Sequence, residues 1–274
     1  MSDTDDPTRP AVPAVARAVR MLEVVAESDG MTLTELSRAI GAPKSSCLAV
    51  CTTLVESGML VRTAGGTYRL GLKVVQLGRS YLSRSDIAAE FRRVDGELGL
   101  LADDTIVLSV LNGREVTYVD TRHGRRPVAV HYEIGMRLPA HCTASGKSLL
   151  AALPPGSVGA LYADARFDTL TPHSIDSLRE LRPELDRVRT RGYAVDDEET
   201  ALGMICFGVA VLGPGGGPAG AISVSMVKAA VDGIRAASAA HAILRLAQTL
   251  TVRLGGPPRE IPVIDASPWA ALLP

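Results

Sequence analysis

Between Val15 and Leu70 the chain is punctuated so closely that it can form only short helices followed by a hairpin. Val15, Val19, Leu22 and Val25 recur at helical spacing with Arg17, Arg20 and Glu23 between them, which predicts an amphipathic first helix. Asp29-Gly30 ends it. Thr32-Leu33-Thr34-Glu35 has the S/T-x-x-E form, in which a hydroxyl and a carboxylate each satisfy a free backbone N–H at a helix start. This second helix runs to about Ile40, Gly41 breaks it, and Pro43 suits the first turn of a third. Leu48, Val50, Cys51, Leu54 and Val55 are the expected buried stripe of the third helix, and Gly58 its stop. Residues 59–62 and 67–70 read as strands joined by Thr63-Ala64-Gly65-Gly66, whose glycines allow positive φ. Three helices and a two-stranded hairpin make a winged helix-turn-helix, a fold whose last helix enters the DNA major groove.

Charge supports that reading locally and not globally. The formal net charge of -1 excludes a basic nucleic-acid coat. Residues 11–80 nevertheless hold eight basic and five acidic side chains, a surplus of +3. Arg38, Lys44, Arg62 and Arg69 fall at the turn and in the hairpin, where phosphate contact is their functional meaning. A content of 46% hydrophobic and 22% charged residues is that of a folded chain, apart from the polar, acidic residues 1–12, which read as a disordered arm. No apolar run nears the roughly 18 residues of a membrane span, and the N-terminus is acidic where a signal peptide is basic. With four cysteines and no CxxC pair, the expectation is a cytoplasmic protein with reduced thiols and no membrane contact.

Beyond Leu72 helical spacing continues to about Leu101, interrupted near Ser83-Arg84-Ser85, as a connecting helix and then the first helix of a second domain. The period then shortens. Residues 105–111 and 116–122 are strand-like around Asn112-Gly113-Arg114-Glu115, and residues 128–134 are a third candidate strand. Helices are expected at 144–153 and 177–191, strands at 193–196, 204–212 and 219–227, and a closing helix at 236–254. The fold class is therefore mixed α/β in two domains, the second an α+β domain around an antiparallel sheet. The predicted bounds are 13–72 for the winged helix, 73–90 for a linker helix, 91–254 for the second domain and 255–274 for a flexible tail.

Several motifs invite chemistry that their context denies. Gly215-Gly216-Gly217-Pro218-Ala219-Gly220 matches G-x-G-x-x-G, but it leads from strand to strand, so it reads as a hairpin and no nicotinamide cofactor is expected. Ser145-Gly146-Lys147-Ser148 ends like a phosphate loop, yet His141 stands where that motif needs glycine. An enzyme would use Ser145 or Cys206 as nucleophile. Ser145 has neither an S-x-x-K nor a G-x-S-x-G frame, and no general base is nominated, so no catalytic residue is assigned. His131, His141, Cys142 and Cys206 could ligate a soft metal, but nothing in their spacing demands it and no metal is expected. Asp196-Asp197-Glu198-Glu199 reads as a solvated turn.

Four stretches in order resemble the IclR family of bacterial transcriptional regulators. They are residues 33–46 with Leu54-Val55-Glu56-Ser57-Gly58; Tyr68-Arg69-Leu70-Gly71; residues 135–151, similar to the family's G-x-x-x-P-x-H-x-T-A-x-G-K-x-L-L-A run; and residues 189–199 continuing to Gly203 and Cys206. The resemblance implies an N-terminal winged helix, a linker helix and a GAF-like effector-binding domain. It further implies dimers or tetramers on pseudo-palindromic double-stranded operators, repressing or activating a catabolic operon in response to a small organic acid. Carried over position by position, the effector pocket falls on Val130, Leu138, Ala144, Ser145, Asp196, Met204, Cys206, Ser223 and Ser225. Lys44, Ser45 and Ser46 would enter the major groove, with Arg38, Arg62 and Arg69 on the backbone. The sequence departs from the family at Ala49, where arginine is usual, at Ile205, where a basic residue is common, and at Ala210, where proline is common. The alternative to a ligand-responsive regulator is an architectural DNA-binding protein whose second domain only oligomerises.

Overall fold

The computed structural model describes residues 12–84, 86–126, 131–262 and 264, which form two compact units divided after Arg84. Residues 1–11 of the expected arm, and Val130 of the expected pocket, lie outside the described residues.

The first unit runs α1 (Pro13–Ala26), β1 (Met31–Thr32), α2 (Leu33–Ile40), α3 (Lys44–Glu56), β2 (Leu60–Arg62), β3 (Thr67–Leu70) and α4 (Leu72–Arg84). The predicted capping box closes: Thr32 Oγ1 accepts from the Glu35 amide at 3.3 Å, and the Thr32 amide donates to Glu35 Oε2 at 2.8 Å. Gly41 ends α2 in the left-handed region at φ +68°. The hairpin gains a third strand, because β1 pairs with β3 on the side away from β2.

The core of this unit is Met21, Val25, Leu36, Cys47, Cys51, Leu54, Leu60 and Tyr68. Two predicted stripes are thereby rephased. On α1, Val15 and Val19 are 59% and 50% exposed, and burial falls to Met21 and Val25. On α3 the stripe is Cys47, Cys51 and Leu54, spaced i, i+4, i+7, while Leu48 is 45% exposed. Cysteine behaves as a small buried hydrophobe, so it takes the inward phase that the larger leucine was expected to hold.

The second unit runs α5 (Asp86–Leu98), β4 (Thr105–Asn112), β5 (Glu115–Arg122), β6 (Arg137–Pro139), α6 (Ala144–Ala152), α7 (Ser157–Leu161), α8 (Leu178–Arg191), β7 (Ala194–Asp197), β8 (Met204–Leu212), β9 (Pro218–Val227) and α9 (Gly233–Arg253). The strands form one antiparallel sheet ordered β6-β5-β4-β9-β8-β7. The glycine-rich stretch is the β8–β9 hairpin loop, closed by the Gly213 amide on the Gly217 carbonyl at 2.9 Å.

Helices α5 and α9 cover one face of the sheet, where Ile87 of α5 lies against Gly220. Helices α6 and α8 cover the other, over a core that includes Val107, Tyr118, Leu149, Leu150, Leu181 and Leu185. This unit begins at α5, earlier than the expected start at residue 91, because Ile87, Ala88, Phe91 and Val94 are already buried in its core. Residues 131–134 are not a strand, and the edge position is taken by β6. The tail does not leave the unit at once: Pro262 comes back beside Gly192 and Leu244.

Candidate functional site

On the first unit four of the six predicted DNA-contacting residues, Arg38, Lys44, Ser45 and Ser46, flank the α2–α3 turn, and the other two lie on the hairpin. Lys44 is the first residue of α3; Lys44 and Ser45 are exposed and Ser46 is half-buried. Arg38 is exposed in the last turn of α2. The two hairpin arginines do not act as a pair. Arg62 faces Tyr68 across the ladder and holds its guanidinium 5.9 Å from that ring, whereas Arg69 faces Val61 on the opposite side and passes over Gly30. Leu48 and Ala49, which no functional assignment included, lie exposed on α3 with Ser45. Thr52 and Thr53 turn their hydroxyls back to the Leu48 and Ala49 carbonyls, leaving an apolar patch on the outer face of this helix.

In the second unit, strand alternation gathers most of the predicted pocket residues on the α6 face of the sheet. Asp196, Cys206, Ser225 and Thr105 form one cross-strand row, and Ala194, Gly208, Ser223 and Val107 form the next. Met204 lies two residues before Cys206 and shares its face. Ala144 and Ser145 open α6 directly above Gly208: a β-carbon there would stand 2.4 Å from the Ala144 carbonyl carbon and 2.6 Å from the Ser145 nitrogen. Thr143 caps the helix by accepting from the Gly146 amide at 3.0 Å. The amides of Ala144 and Ser145 precede any carbonyl of the helix's own turns, so they point outward at its positive end. Leu138 is half-buried on β6, the far edge strand from Asp196.

The row carries polar chemistry in a dry place. Cys206 Sγ donates to Ser225 Oγ at 3.4 Å, and the Tyr132 hydroxyl reaches the same pair. Tyr118 and Cys142 border the cluster closely enough that Asp196 acts electrostatically on both. The sequence nominates neither Tyr118 nor Tyr132 for this cluster, and Cys142 only as a metal ligand; the one available signal is the position of Cys142 two residues before α6. Burial pushes the Cys142 thiol up to about 12 and the Cys206 thiol higher still, so neither is a thiolate nucleophile at neutral pH. His141 and His131 do not join the two cysteines. The His141 ring turns to the Asp168 carbonyl at 3.2 Å, and His131 is exposed beside Glu133.

The acidic run is half interior. Asp196 is 2% exposed and accepts from the amides of Glu199 and Thr200 at 2.8 and 3.2 Å and from the Thr200 hydroxyl. Burial nevertheless raises its carboxyl above the ordinary range. Glu199 pairs with Lys147, which is 1% exposed inside α6. Burial pushes the Glu199 carboxyl up to about 7, against the opposing pull of the Lys147 ammonium. This pair ties the helix start to the β7–β8 turn, where Glu198 stands at φ +60°.

Residues 14–64 match the IclR helix-turn-helix domain, and residues 79–252 match the bacterial transcriptional regulator IclR C-terminal domain. The chain belongs to the IclR family of bacterial transcriptional regulators. It is 30% identical to the HTH-type transcriptional regulator XynR of Escherichia coli (strain K12) over 250 residues, 90% of this chain and 99% of that one. The crystal structure of the Agrobacterium tumefaciens repressor BlcR is similar at 34% identity and a TM-score of 0.59, covering 90% of this chain and 99% of that chain. An IclR homolog from Microbacterium hydrocarbonoxydans, solved in complex with 4-hydroxybenzoate, shares the fold at 22% identity and a TM-score of 0.73, covering 88% and 98%. These families and relatives are transcriptional regulators, not enzymes, and this IclR-family chain is a DNA-binding regulator built from the two matched domains. Among the described residues no helix is long and apolar enough to cross a membrane.

Proposed function

We propose that this regulator governs a catabolic operon in the cytoplasm and senses a small organic acid in its second unit. The observation that carries the reading is the row Asp196–Cys206–Ser225 lying on the sheet face next to the Gly208 row on which α6 starts. A carboxylate there meets the outward amides of Ala144 and Ser145, worth roughly 0.3–2 kcal/mol at a helix N-terminus. Ser223, Ser225 and Cys206 offer neutral partners, Met204 and Leu138 apolar ones. Asp196, held by the Glu199 and Thr200 amides and the Thr200 hydroxyl, fixes the end of the row. The relative solved with 4-hydroxybenzoate binds an acid of this class on the same fold.

On DNA, Lys44, Ser45 and Ser46 enter the major groove, while Arg38, Arg62 and Arg69 hold phosphates. A homo-oligomer sets two such helices about one DNA turn or a multiple apart, which makes the operator pseudo-palindromic. Exposed Val12, Val15 and Val19 on and before α1, and Leu72 and Val75 on α4, are apolar surface consistent with self-association. The acid shifts operator affinity by its differential binding to two arrangements of the oligomer, typically 1–3 kcal/mol of coupling.

The test is a panel of small carboxylic acids scored by thermal shift and operator binding. The Ser223→Ala/Ser225→Ala chain should lose the response to the acid that stabilises the wild type and keep its ligand-free operator affinity. An unchanged response would remove this pocket, and the absence of any stabilising acid would favour an architectural protein.

A further inference from the structure

A cavity of about 450 Å3 opens beside the β4–β5 turn, walled by Arg114, Pro139, His141, Tyr162 and Arg166 among others. It adjoins the residues discussed above through the 138–144 segment: Pro139 and His141 line it, and Cys142 acts electrostatically on Tyr162 while itself feeling Asp196 and Glu199.

Its polar groups are unbalanced in one direction. Tyr162 is 2% exposed, and its hydroxyl is buried with no hydrogen-bond partner among the described residues. Burial raises its pKa, so the hydroxyl is a proton donor without an acceptor. Arg114 acts electrostatically on that hydroxyl. Neither Arg114 nor Arg166 has an ion pair among the described residues. Of the two acids on the rim, Glu115 is held by Arg137, leaving one unpaired carboxylate, Asp168, against two guanidinium groups. His141 adds no charge: burial lowers its pKa, and Nε2 is committed to the Asp168 carbonyl. With Nε2 donating, the neutral His141 ring keeps Nδ1 as an acceptor, but the two guanidinium groups and the Tyr162 hydroxyl outnumber the acceptors Asp168 and Nδ1, so the wall favours an anionic acceptor. Two of the walls, His141 and Tyr162, are rings, held in place by packing on Phe167 at 4.8 and 5.0 Å.

We propose that this cavity is a second ligand site, which takes a small aromatic carboxylate whose oxygens accept from Arg114, Arg166 and the Tyr162 hydroxyl. The site stands independently of the pocket under α6. Its walls share the 138–144 segment with that pocket, so a ligand in one would alter affinity in the other by a reciprocal factor.

Isothermal titration of the full chain with benzoate, and with benzamide as its uncharged isostere, tests the site. Benzoate should bind the wild type, and the Arg114→Gln/Arg166→Gln chain should bind it at least tenfold more weakly. Tyr162→Phe should weaken benzoate several-fold while leaving the thermal midpoint no lower than wild type, because it deletes only an unpaired hydroxyl. A hydroxyl serving the fold would lower that midpoint. The site is overturned if the wild type ignores benzoate, if benzamide binds equally, or if the arginine double variant keeps wild-type affinity.

Discussion

The carbonyl carbon of Ala144 lies 2.4 Å from the point a β-carbon would occupy on Gly208, so the start of α6 rests on bare backbone of β8. The obstructing atoms are main chain and cannot swing aside. Gly208→Ala should therefore lift the helix start off its own row, which carries Ser223, and away from the adjacent row of Cys206 and Ser225. The expected loss is about 1–3 kcal/mol of stability, as for other overpacked sites. Urea unfolding would show it, and any change in operator affinity produced by an acid effector should shrink in parallel.

Lys44 and Leu48 should separate electrostatic from sequence-reading contributions on α3. Lys44→Ala is expected to lower operator affinity and, because it removes a cation from the DNA face, to reduce the slope of log affinity against log salt by about one. Leu48→Ala should leave that slope unchanged, since it removes only an exposed apolar contact suited to a thymine methyl. Its effect should appear as relaxed discrimination at one operator position, measured across single-base variants.

Thr32 and Glu35 close the start of α2 with side chains that bond each other's amides, and those amides have no other helical partner. Thr32→Ala should cost about 0.5–2 kcal/mol. The denaturant midpoint should fall with an unchanged m-value, and Thr32→Ser should recover most of the loss.

Glu199 gives stability a defined pH dependence. Its carboxyl titrates at about 7 in the folded chain against the ordinary 4.5, so the folded state binds this proton more tightly than the unfolded state. The contribution is full below about pH 4.5 and is lost as pH rises through about 7. Glu199→Gln should flatten that part of the profile in urea titrations across the window. Asp196, raised in the same direction by burial, should keep the remaining slope.

Legibility followed the range over which each feature is set. The Thr32–Glu35 cap, the Gly41 stop and the β8–β9 hairpin were readable because each closes within a few residues. The phase of α3 was not: whether Cys47 or Leu48 turns inward depends on α1 and α2, which the helix's own periodicity does not describe. The acidic run at 196–199 reads as solvent-facing because its burial comes from α6, about fifty positions earlier. Family resemblance nominated Asp196, Cys206, Ser223 and Ser225 without stating that they share two adjacent rows of one sheet face.

Capping side chains, glycine punctuation and alternating apolar residues, all acting between near neighbours, were enough to specify a winged helix followed by an antiparallel α+β unit. Packing alone placed Lys147 against Glu199 and left the Tyr162 hydroxyl, beside Arg114, without a hydrogen-bond partner among the described residues. Those relationships join residues across dozens of positions, and their energies arise from desolvation and close approach. Both come into being only when the layers meet.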